Sequence, residues 1–333
     1  MRTFTCSTCH LLVFFENTAC LRCGSALGYD HGTREMITLP DGLDADPDWF
    51  RCANAEVAAC NWLVRTPGEL CASCSLTRTR PADSDPSGLQ DLGVAEAAKR
   101  RLLFELAELG LPVEGAGERE GGLVFDLLSS EAVPVTTGHA GGVITLDLAE
   151  ADDSDRAARR EQLGEPYRTV LGHFRHEIGH YYWPLLVESD PETLADHRAL
   201  FGDEREDYQA ALERHYASGP PADWHLHHVS AYAAMHPWED WAETWAHYLH
   251  ISASTQTAAA YGLRTPLAEP EPAPDDFRTV IDAWIPFTIA MNAINLSMGR
   301  NPLYPFVLTA AVIEKLEFVD RTVRRVRSAV PTA

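Results

Sequence analysis

The sequence predicts an α+β fold, in which a small cysteine-rich module precedes a larger, mainly helical domain with a small sheet. Three observations lead to this prediction. All eight cysteines of the 333-residue chain lie before residue 75. Residues 123–128 and 143–148 are short apolar runs typical of strands. From residue 154 onward, apolar residues recur mainly at helical spacing.

The composition limits the classes of partner. The chain has 49 acidic and 27 basic residues and a formal charge of −22, which repels phosphate backbones and favours cationic partners. We therefore expect no nucleic-acid partner. We identify no apolar run of membrane-spanning length, and residues 1–20 lack the unbroken apolar stretch of a signal peptide. The expectation is a cytoplasmic protein without a membrane partner.

The cysteines fall into two groups of four. The first group has two CxxC pairs separated by ten residues, the spacing of a zinc ribbon, and consists of Cys6, Cys9, Cys20 and Cys23. The second group has one CxxC and two more widely spaced thiols, and consists of Cys52, Cys60, Cys71 and Cys74. Disulfides are the alternative, but a chain without a secretion signal favours metal. We expect two closed, structural Zn²⁺ sites that stabilise a module too small to fold unaided.

These patterns divide the chain into domains. Residues 1–75 form the predicted zinc-ribbon module with its two four-cysteine sites, and residues 91–333 form the main domain. Between them, residues 76–90 are rich in Ser, Pro, Asp and Arg without apolar periodicity, which indicates a linker. At the start of the main domain, residues 94–111 show the apolar spacing of an amphipathic helix. Gly141 and Gly142 mark a turn between the two predicted strands.

The segment HFRHEIGHYYW, residues 173–183, contains an HExxH motif. Histidines four residues apart lie on one face of a helix, so His176 and His180 can reach a single ion. Glu177 projects beside them, where its carboxylate can take a proton from a water that the ion activates. Zinc prefers such a ligand set and keeps a position open when it is catalytic. The helix is expected to begin near residues 165–166 and to end near Pro184.

A third ligand is expected from the segment 230–251, where Pro237 opens a helix. Glu239 and Glu243 lie one turn apart on the same face, while three tryptophans of this helix, Trp238, Trp241 and Trp245, can face the core. One glutamate could complete a His, His, Glu site, and the other could accept the outer ring N–H of a ligand histidine. Without the HExxH motif, the same pattern would indicate an amphipathic helix with exposed acids.

Several polar residues admit more than one interpretation. Residues 196–216 are predicted to form one helix, and its FGDERED segment, 201–207, is either a solvated face or a buried network that braces the site. Three histidines could line the cleft or bind a substrate carboxylate, or they have no functional role: His225, His227 and His228. We expect packing or surface roles for His173, His247 and His250. The sequence leaves open whether Asn292 and Asn295 face the cleft.

The motifs resemble those of the gluzincin branch of zinc peptidases. HEIGHYYW followed by Tyr232, Glu239 and Glu243 has a spacing similar to that of the anthrax lethal factor protease domain, although the gap from His180 to Glu239 is longer here. The whole chain also resembles a bacterial family of zinc-binding metallopeptidases with an N-terminal zinc-ribbon domain. That second likeness lies in the blocks RCANAEVAACNW, LCASC, FRHEIGHYYW, FGDERED and HPWEDWAETWAHYLHI.

The resemblance implies a zincin-like metallopeptidase domain and assigns roles to its residues. The implied zinc ligands are His176, His180 and Glu239. Glu177 would be the general base and Tyr232 the oxyanion donor. Glu243 would accept the outer ring N–H of a ligand histidine. In peptidases of this kind a sheet edge pairs with an extended substrate, and residues 142–148 are our candidate for that edge, on the basis of chain order alone.

The implied activity is zinc-dependent hydrolysis of a peptide or amide bond. The negative charge suggests cationic substrates, either Arg- or Lys-rich peptides or an arginine-bearing polymer such as cyanophycin. A different class of function is a catalytically weak, peptidase-like fold whose zinc ribbon binds a protein partner. Zinc content distinguishes the two, since about three equivalents imply an occupied third site. A ribbon-containing transcription factor is disfavoured by the acidic charge.

Overall fold

A computed structural model of the chain describes residues 1–42, 46–130, 134–152, 155–156, 167–263 and 276–329. The described residues confirm the α+β class, with small sheets near the N-terminus and helices in most of the remainder. The chain divides into two compact units. Unit 1 comprises Met1–Glu108 and most of the segment 112–174, and unit 2 consists mainly of the chain from Arg175 onward.

The cysteine-rich part of unit 1 contains three antiparallel strand pairs. They are β1 (Phe4–Thr5) with β2 (Leu12–Val13), β3 (Ala26–Asp30) with β4 (Glu35–Leu39), and β5 (Phe50–Arg51) with β6 (Leu63–Val64). An aromatic cluster forms the core, and Phe104 from the following helix packs edge-on or tilted against Phe4, Phe15 and Tyr29 at 5.2–6.3 Å between ring centroids. Aromatic packing therefore supplements the cysteine sites as a source of stability.

Residues 76–90 are not the unstructured linker that their composition suggests. Thr77–Thr79 form strand β7, which pairs in parallel with β8 (Val124–Leu128), and helix α1 begins at Pro86 and runs to Leu109. Asp85 accepts a hydrogen bond from the Gly88 amide at 2.8 Å, so the polar residues stabilise the start of the helix. The apolar face predicted for this helix is confirmed, since Leu102, Leu103 and Leu106 are buried.

The main sheet has the strand order β7-β8-β10-β9, in which β9 is Gly138–Ala140 and β10 is Val143–Asp147. Both predicted strands are present, but β8 and β10 are parallel, and the Gly141-Gly142 turn joins β9 to β10 instead. The prediction that residues 142–148 form a sheet edge is wrong. The short strand β9 pairs with Val143–Thr145 on that side of β10, and its sequence Gly-His-Ala has no β-branched residue that would reveal it.

Helices dominate the described chain after residue 167. They are α2 (Val170–Trp183), α3 (Pro191–Phe201), α4 (Tyr208–Ser218), α5 (Trp224–His227), α6 (Pro237–Ala260), α7 (Phe277–Ser297) and α8 (Ala310–Ala329). The predicted start of α2 at 165–166 lies outside the described residues. Its predicted end is confirmed at Trp183, and a π-helical turn follows at Pro184–Glu188. Pro237 opens α6 as predicted, directly after the capping residue His236.

The single helix predicted for residues 196–216 is wrong. Helix α3 ends at Gly202, whose φ of +100° favours glycine, and α4 begins after Asp207. Asp207 accepts a hydrogen bond from the Ala210 amide at 3.0 Å and so caps α4. The charged segment 202–207 is therefore a loop between two helices.

Unit 2 has an aromatic core around α6. Trp241 and Trp245 are fully buried, and Tyr182 of α2 stacks on Trp245 at 5.2 Å between ring centroids. A buried ion pair also joins two helices, since Lys315 of α8 lies 2.5 Å from Asp240 of α6. These contacts hold α2, α6 and α8 together.

Among the described residues, α7 alone has the length and apolar composition of a membrane-spanning helix. The mean hydropathy of this helix is 1.2, and 11% of an apolar stretch of 18 residues within it is buried. The expectation that no apolar stretch reaches this length is therefore wrong for α7. The helix carries exposed charged residues near its start, Arg278 and Asp282, and contains Pro286.

Candidate metal centre

Each predicted cysteine quartet is gathered into one cluster. Within each cluster, all four sulfur atoms lie within 4.8 Å of one another. The sulfur atoms of Cys6 and Cys23 are 3.6 Å apart, as are those of Cys60 and Cys71. These distances are close to the roughly 3.8 Å between two sulfurs that bind one tetrahedral zinc ion through bonds of about 2.3 Å. All eight cysteines are free, so the disulfide alternative is wrong. Both clusters have the donor set of a closed, structural zinc site.

The second cysteine cluster is buried and has a cationic neighbour on α1. Arg100 donates hydrogen bonds to the carbonyls of Ala58 and Ala59, at 3.3 and 3.0 Å, in the loop before Cys60. The hydrogen bond with Cys52 and burial raise the pKa of Cys60, but the bonds with Cys71 and Cys74 and the charge of Arg100 outweigh them and lower that pKa. Arg100 therefore links the loop at this cluster to α1.

A third cluster unites His176, His180 and Glu239, the three residues that the resemblance implies as zinc ligands. One possible ligand atom from each lies within 4.8 Å of the others. Glu239 Oε2 is 3.0 Å from His176 Nε2 and 3.6 Å from His180 Nε2. Ligand atoms about 2 Å from one tetrahedral ion lie roughly 3.3 Å apart, so both distances to Glu239 are compatible with a zinc ion. Two imidazoles and a carboxylate are also the donor set that catalytic zinc accepts.

The approach of α6 to α2 depends on Gly179, which lies between the two histidines. A Cβ at this position would lie 3.1 Å from Trp245 and 3.2 Å from the Cα of Ala242. The Gly179 carbonyl accepts a hydrogen bond from Trp241 Nε1 at 2.9 Å. Glycine therefore permits the close helix contact that brings Glu239 to the histidines.

Glu243 contacts the outer ring nitrogen of His176, which is the role that the sequence analysis allowed for the glutamate that is not a ligand. Its Oε1 lies 2.8 Å from His176 Nδ1, and its Oε2 accepts a hydrogen bond from Ser230 at 2.7 Å. With an N–H on Nδ1, Nε2 directs its lone pair toward Glu239 once it has lost its own proton, and an ion would bind there. Burial raises the pKa of Glu243, but the hydrogen bond and charge of His176 outweigh it and lower that pKa to about 2. The carboxylate is therefore ionised at neutral pH.

Glu239 itself is held by a residue that the sequence analysis missed. Tyr208, the first residue of α4, donates a hydrogen bond to Glu239 Oε1 at 2.9 Å. Burial opposes ionisation of Glu239, but the two histidines outweigh it, so its pKa falls well below the usual range. On the other side of the cluster, the Trp238 ring stacks on His180 at 5.1 Å between centroids. Trp238 is half-buried and lies against a ligand histidine, so the prediction that it faces the core is wrong.

The predicted base and oxyanion donor lie beside this cluster. Glu177 is buried, and its negative charge acts on both His176 and Tyr208. The Tyr232 ring lies 6.2 Å from that of His176. Burial and then the charge of Glu239 raise the pKa of Tyr232 well above the usual range, which keeps the phenol protonated.

The remaining histidines lie outside the cluster in the described structure. His173 pairs with the buried Glu150 at 2.5 Å, and His228 lies 3.1 Å from Asp240. His225 and His227 are exposed. His247 is buried and bonded to the Tyr304 hydroxyl at 2.7 Å, which confirms the packing interpretation. Burial lowers the pKa of His247 to about 4, so it is neutral at physiological pH.

The charged loop and the asparagines have structural roles. Asp203 and Arg205 pair with each other on the surface, while Glu204, whose side chain is 9% exposed, pairs with Arg198. The loop is thus partly a solvated face and partly a half-buried ion pair. The side chain of Asn292 donates a hydrogen bond to the Tyr304 carbonyl at 2.8 Å and accepts one from the Tyr304 amide at 3.0 Å. Asn295 bonds the backbone of Asn301, so both asparagines anchor the segment after α7.

Three contacts of the centre were not predicted: those of Tyr208, Ser230 and Gly179. Tyr208 and Ser230 carry no motif that reveals their partners, because each contact spans a loop of unknown course. Gly179 did carry a signal. A glycine between two ligand positions, together with a tryptophan-rich partner helix, indicates a close helix contact.

Comparison with known proteins agrees with this arrangement. Residues 89–322 match a family described as "putative zinc-binding metallo-peptidase", and residues 3–85 match a zinc-ribbon domain. Uncharacterized proteins of Mycobacterium bovis and of two Mycobacterium tuberculosis strains are each 50% identical over 332 residues, covering 98% of this chain and 96% of the relative. No solved structure matches. The chain therefore belongs to this family of zinc-binding metallopeptidases and carries an N-terminal zinc-ribbon domain.

Proposed function

We propose that the protein is a zinc-dependent hydrolase that cleaves peptide or amide bonds at the His176, His180 and Glu239 cluster. The observation that carries this proposal is the convergence of three ligand atoms within 4.8 Å, with the buried carboxylate of Glu177 next to one of them. The family description supports zinc binding and a peptidase activity. The proposal includes one catalytic and two structural zinc ions.

The division of labour follows from the chemistry of each group. A zinc ion bound here would supply Lewis acidity, which activates water and polarises the scissile carbonyl. Glu177 takes the proton of the attacking water and returns it to the leaving amine. Tyr232 donates its phenolic hydrogen to the oxygen that becomes negative, an effect of about 3 kcal/mol for one well-placed donor. Glu243 fixes the His176 ring in the orientation required of a ligand.

We further propose a cationic substrate, either an Arg- or Lys-rich peptide or an arginine-bearing polymer such as cyanophycin. The supporting observation is the formal charge of −22, which attracts cations over long distances. Two carboxylates of the centre, Glu239 and Glu243, have lowered pKa values and add negative charge there. Salt should therefore weaken substrate capture.

A peptide library assay with the zinc-loaded protein tests both statements. Basic peptides should be cleaved in preference to acidic ones. Glu177→Gln should retain zinc and fold but lose at least about a hundredfold in kcat, the scale of general-base catalysis. Glu188→Gln, an exposed acid on the turn after α2, is the matched control and should retain activity.

Three results would contradict the proposal. Normal turnover of Glu177→Gln would remove the general base. Two zinc equivalents without hydrolysis would favour the alternative, a peptidase-like fold that acts as a binding module. Preferred cleavage of neutral or acidic peptides would remove the cationic substrate and leave the hydrolase.

A further inference from the structure

The loop before α4 and the start of α6 are joined at two points. His236 caps α6, and its Nδ1 accepts a hydrogen bond from the Trp238 amide at 3.0 Å. Its other ring nitrogen, Nε2, lies 3.1 Å from the carbonyl oxygen of Glu206. Since Nδ1 is an acceptor, Nε2 carries the hydrogen and donates to Glu206. This bond fixes residue 206 beside the first turn of α6.

The second point lies two residues further on, at Tyr208. Its hydroxyl donates to Glu239 Oε1 at 2.9 Å, and its ring packs edge-on against His236 at 5.3 Å between centroids. Asp207 between them caps α4. The segment that precedes Tyr208 is thus held by the helix cap at Asp207 and by the bond from His236 to Glu206. The phenol of Tyr208 therefore reaches Glu239 from a backbone position that these contacts fix.

The two oxygens of Glu239 consequently have different surroundings. Oε2 lies 3.0 Å from His176 Nε2 and 3.6 Å from His180 Nε2, whereas Oε1 accepts the hydrogen bond of Tyr208. Glu239 is 3% exposed, so water has little access to replace that bond. If an ion bound to Oε2, Oε1 would already accept the hydrogen bond of Tyr208.

We infer that Tyr208 is a positioning residue that makes Glu239 a ligand through one oxygen only. Carboxylates can bind a metal through one or two oxygens, and a second oxygen would occupy a coordination position. A catalytic zinc needs that position open for water or for the substrate carbonyl. By holding Oε1, Tyr208 keeps it open. The inference rests on the proposed metal site but extends to a residue outside the HExxH and glutamate motifs.

Tyr208 also has a defined relation to the proposed oxyanion donor. Tyr208 contacts Glu239, and the Tyr232 ring lies 6.2 Å from the His176 ring, so both tyrosines belong to the surroundings of the centre. Their roles differ, because Tyr208 bonds a ligand whereas Tyr232 is the proposed donor to substrate. Removal of the Tyr208 hydroxyl should change the metal, and removal of the Tyr232 hydroxyl should change turnover alone.

The test compares Tyr208→Phe, Tyr232→Phe and Tyr216→Phe in the full-length protein. Tyr216 is a 67% exposed residue of the same helix as Tyr208 and serves as the matched control. We expect Tyr208→Phe to weaken zinc binding at this site by about 10- to 100-fold, the range found when a partner of a ligand is removed. The other two variants should bind zinc as the unaltered protein does.

A spectroscopic measurement follows the coordination directly. With Co²⁺ in place of zinc, visible absorption weakens when coordination rises from four to five ligands. We expect weaker bands for Tyr208→Phe and unchanged bands for Tyr216→Phe, with far-ultraviolet circular dichroism confirming that each variant is folded. Tyr208 is 39% exposed, so loss of its hydroxyl leaves no sealed cavity that would unfold the protein.

The outcomes separate this inference from the proposed function. Unchanged zinc affinity and unchanged Co²⁺ bands in a folded Tyr208→Phe variant would overturn the role of Tyr208 and leave the hydrolase intact. Absence of a third metal equivalent in the unaltered protein would overturn the metal site and the inference with it. Equal losses of affinity in Tyr208→Phe and Tyr216→Phe would show a general effect of phenol removal and would also overturn the inference.

Discussion

The cysteine clusters and the histidine-glutamate centre differ in the length of chain that each must bring together. Cys6 and Cys23 are 17 positions apart, and Cys52 and Cys71 are 19 apart. The contact between His176 and Glu243, in contrast, spans 67 positions. Short loops and an ion can assemble a cysteine cluster, whereas the other centre needs two helices that are already packed. Metal should therefore be part of folding at the first kind of site and follow folding at the second.

The largest expected effect is that of Cys71→Ser. Structural zinc contributes an apparent 10–16 kcal/mol in zinc-finger peptides, and Cys71 belongs to a wholly buried cluster. We expect this variant to lose one zinc and the folded state of the surrounding segment, measured as zinc content and as rapid proteolysis within residues 46–76. Ser75→Ala, at an exposed position next to the cluster, is the control. Wild-type resistance to proteolysis after zinc loss would break the comparison.

Glu239→Gln should lose zinc but keep its fold, in contrast to Cys71→Ser. Removal of a ligand carboxylate should weaken zinc at the third site by more than about 100-fold and abolish hydrolysis, while the helical circular dichroism remains. Zinc content would fall from about three to about two equivalents. The control is Glu213→Gln, an exposed acid on α4. If the variant unfolded instead, the histidine-glutamate centre would resemble the cysteine clusters.

Glu243→Gln should have a smaller effect than Glu239→Gln. Glu243 contacts His176 Nδ1 rather than the ion, so its replacement should reduce zinc affinity by about 10- to 100-fold. Competition with a chelator measures both variants on one scale. A larger loss for Glu243 than for Glu239 would exchange the two roles.

Gly179→Ala tests whether packing precedes the metal. The added methyl would meet Trp245 at 3.1 Å, so we expect a loss of about 1–3 kcal/mol in the free energy of unfolding and weaker zinc binding. Gly93→Ala on α1 is the control, since its nearest neighbour is 4.0 Å away and alanine favours helix by about 1 kcal/mol. Denaturant unfolding should give opposite signs for the two variants. A stable Gly179→Ala variant with normal zinc affinity would contradict the tight contact.

A change of one pH unit should have the smallest effect, about tenfold on zinc affinity at the third site. Burial lowers the pKa of His176, but Glu239 and Glu243 outweigh it and raise that pKa well above 6.5. Zinc must displace this proton, so affinity should rise with pH and fall about tenfold per unit below the pKa. Isothermal titration between about pH 6 and 8 measures the slope. A flat profile over this range would contradict the raised pKa.

Sequence reasoning succeeded where a motif lies within one element. The HExxH spacing identified His176 and His180, because two residues four apart on a helix must share a face. The same reasoning placed Glu239 and Glu243 on one face of α6, yet it left open which of them faces the histidines. The structure places Glu239 at both Nε2 atoms and Glu243 at Nδ1.

The errors have a common origin in contacts between distant segments. The edge predicted at 142–148 is paired with β9, which has no strand-like composition. The predicted linker contains β7, whose pairing with β8 joins residues nearly 50 positions apart. In each case the partner strand, rather than the local composition, determined the conformation.

By itself, the sequence determined the two cysteine quartets, the HExxH helix and the two glutamates that share one face of α6, since each depends on spacing within one short segment. It also determined the α+β class, which follows from local periodicity along the chain. Only the tertiary structure decided which oxygen of Glu239 faces the histidines, that Tyr208 holds the other, and that Gly179 permits the approach of α6. These features depend on how helices pack across loops. Local periodicity records which face of a helix is apolar, but not which side chain it will meet there.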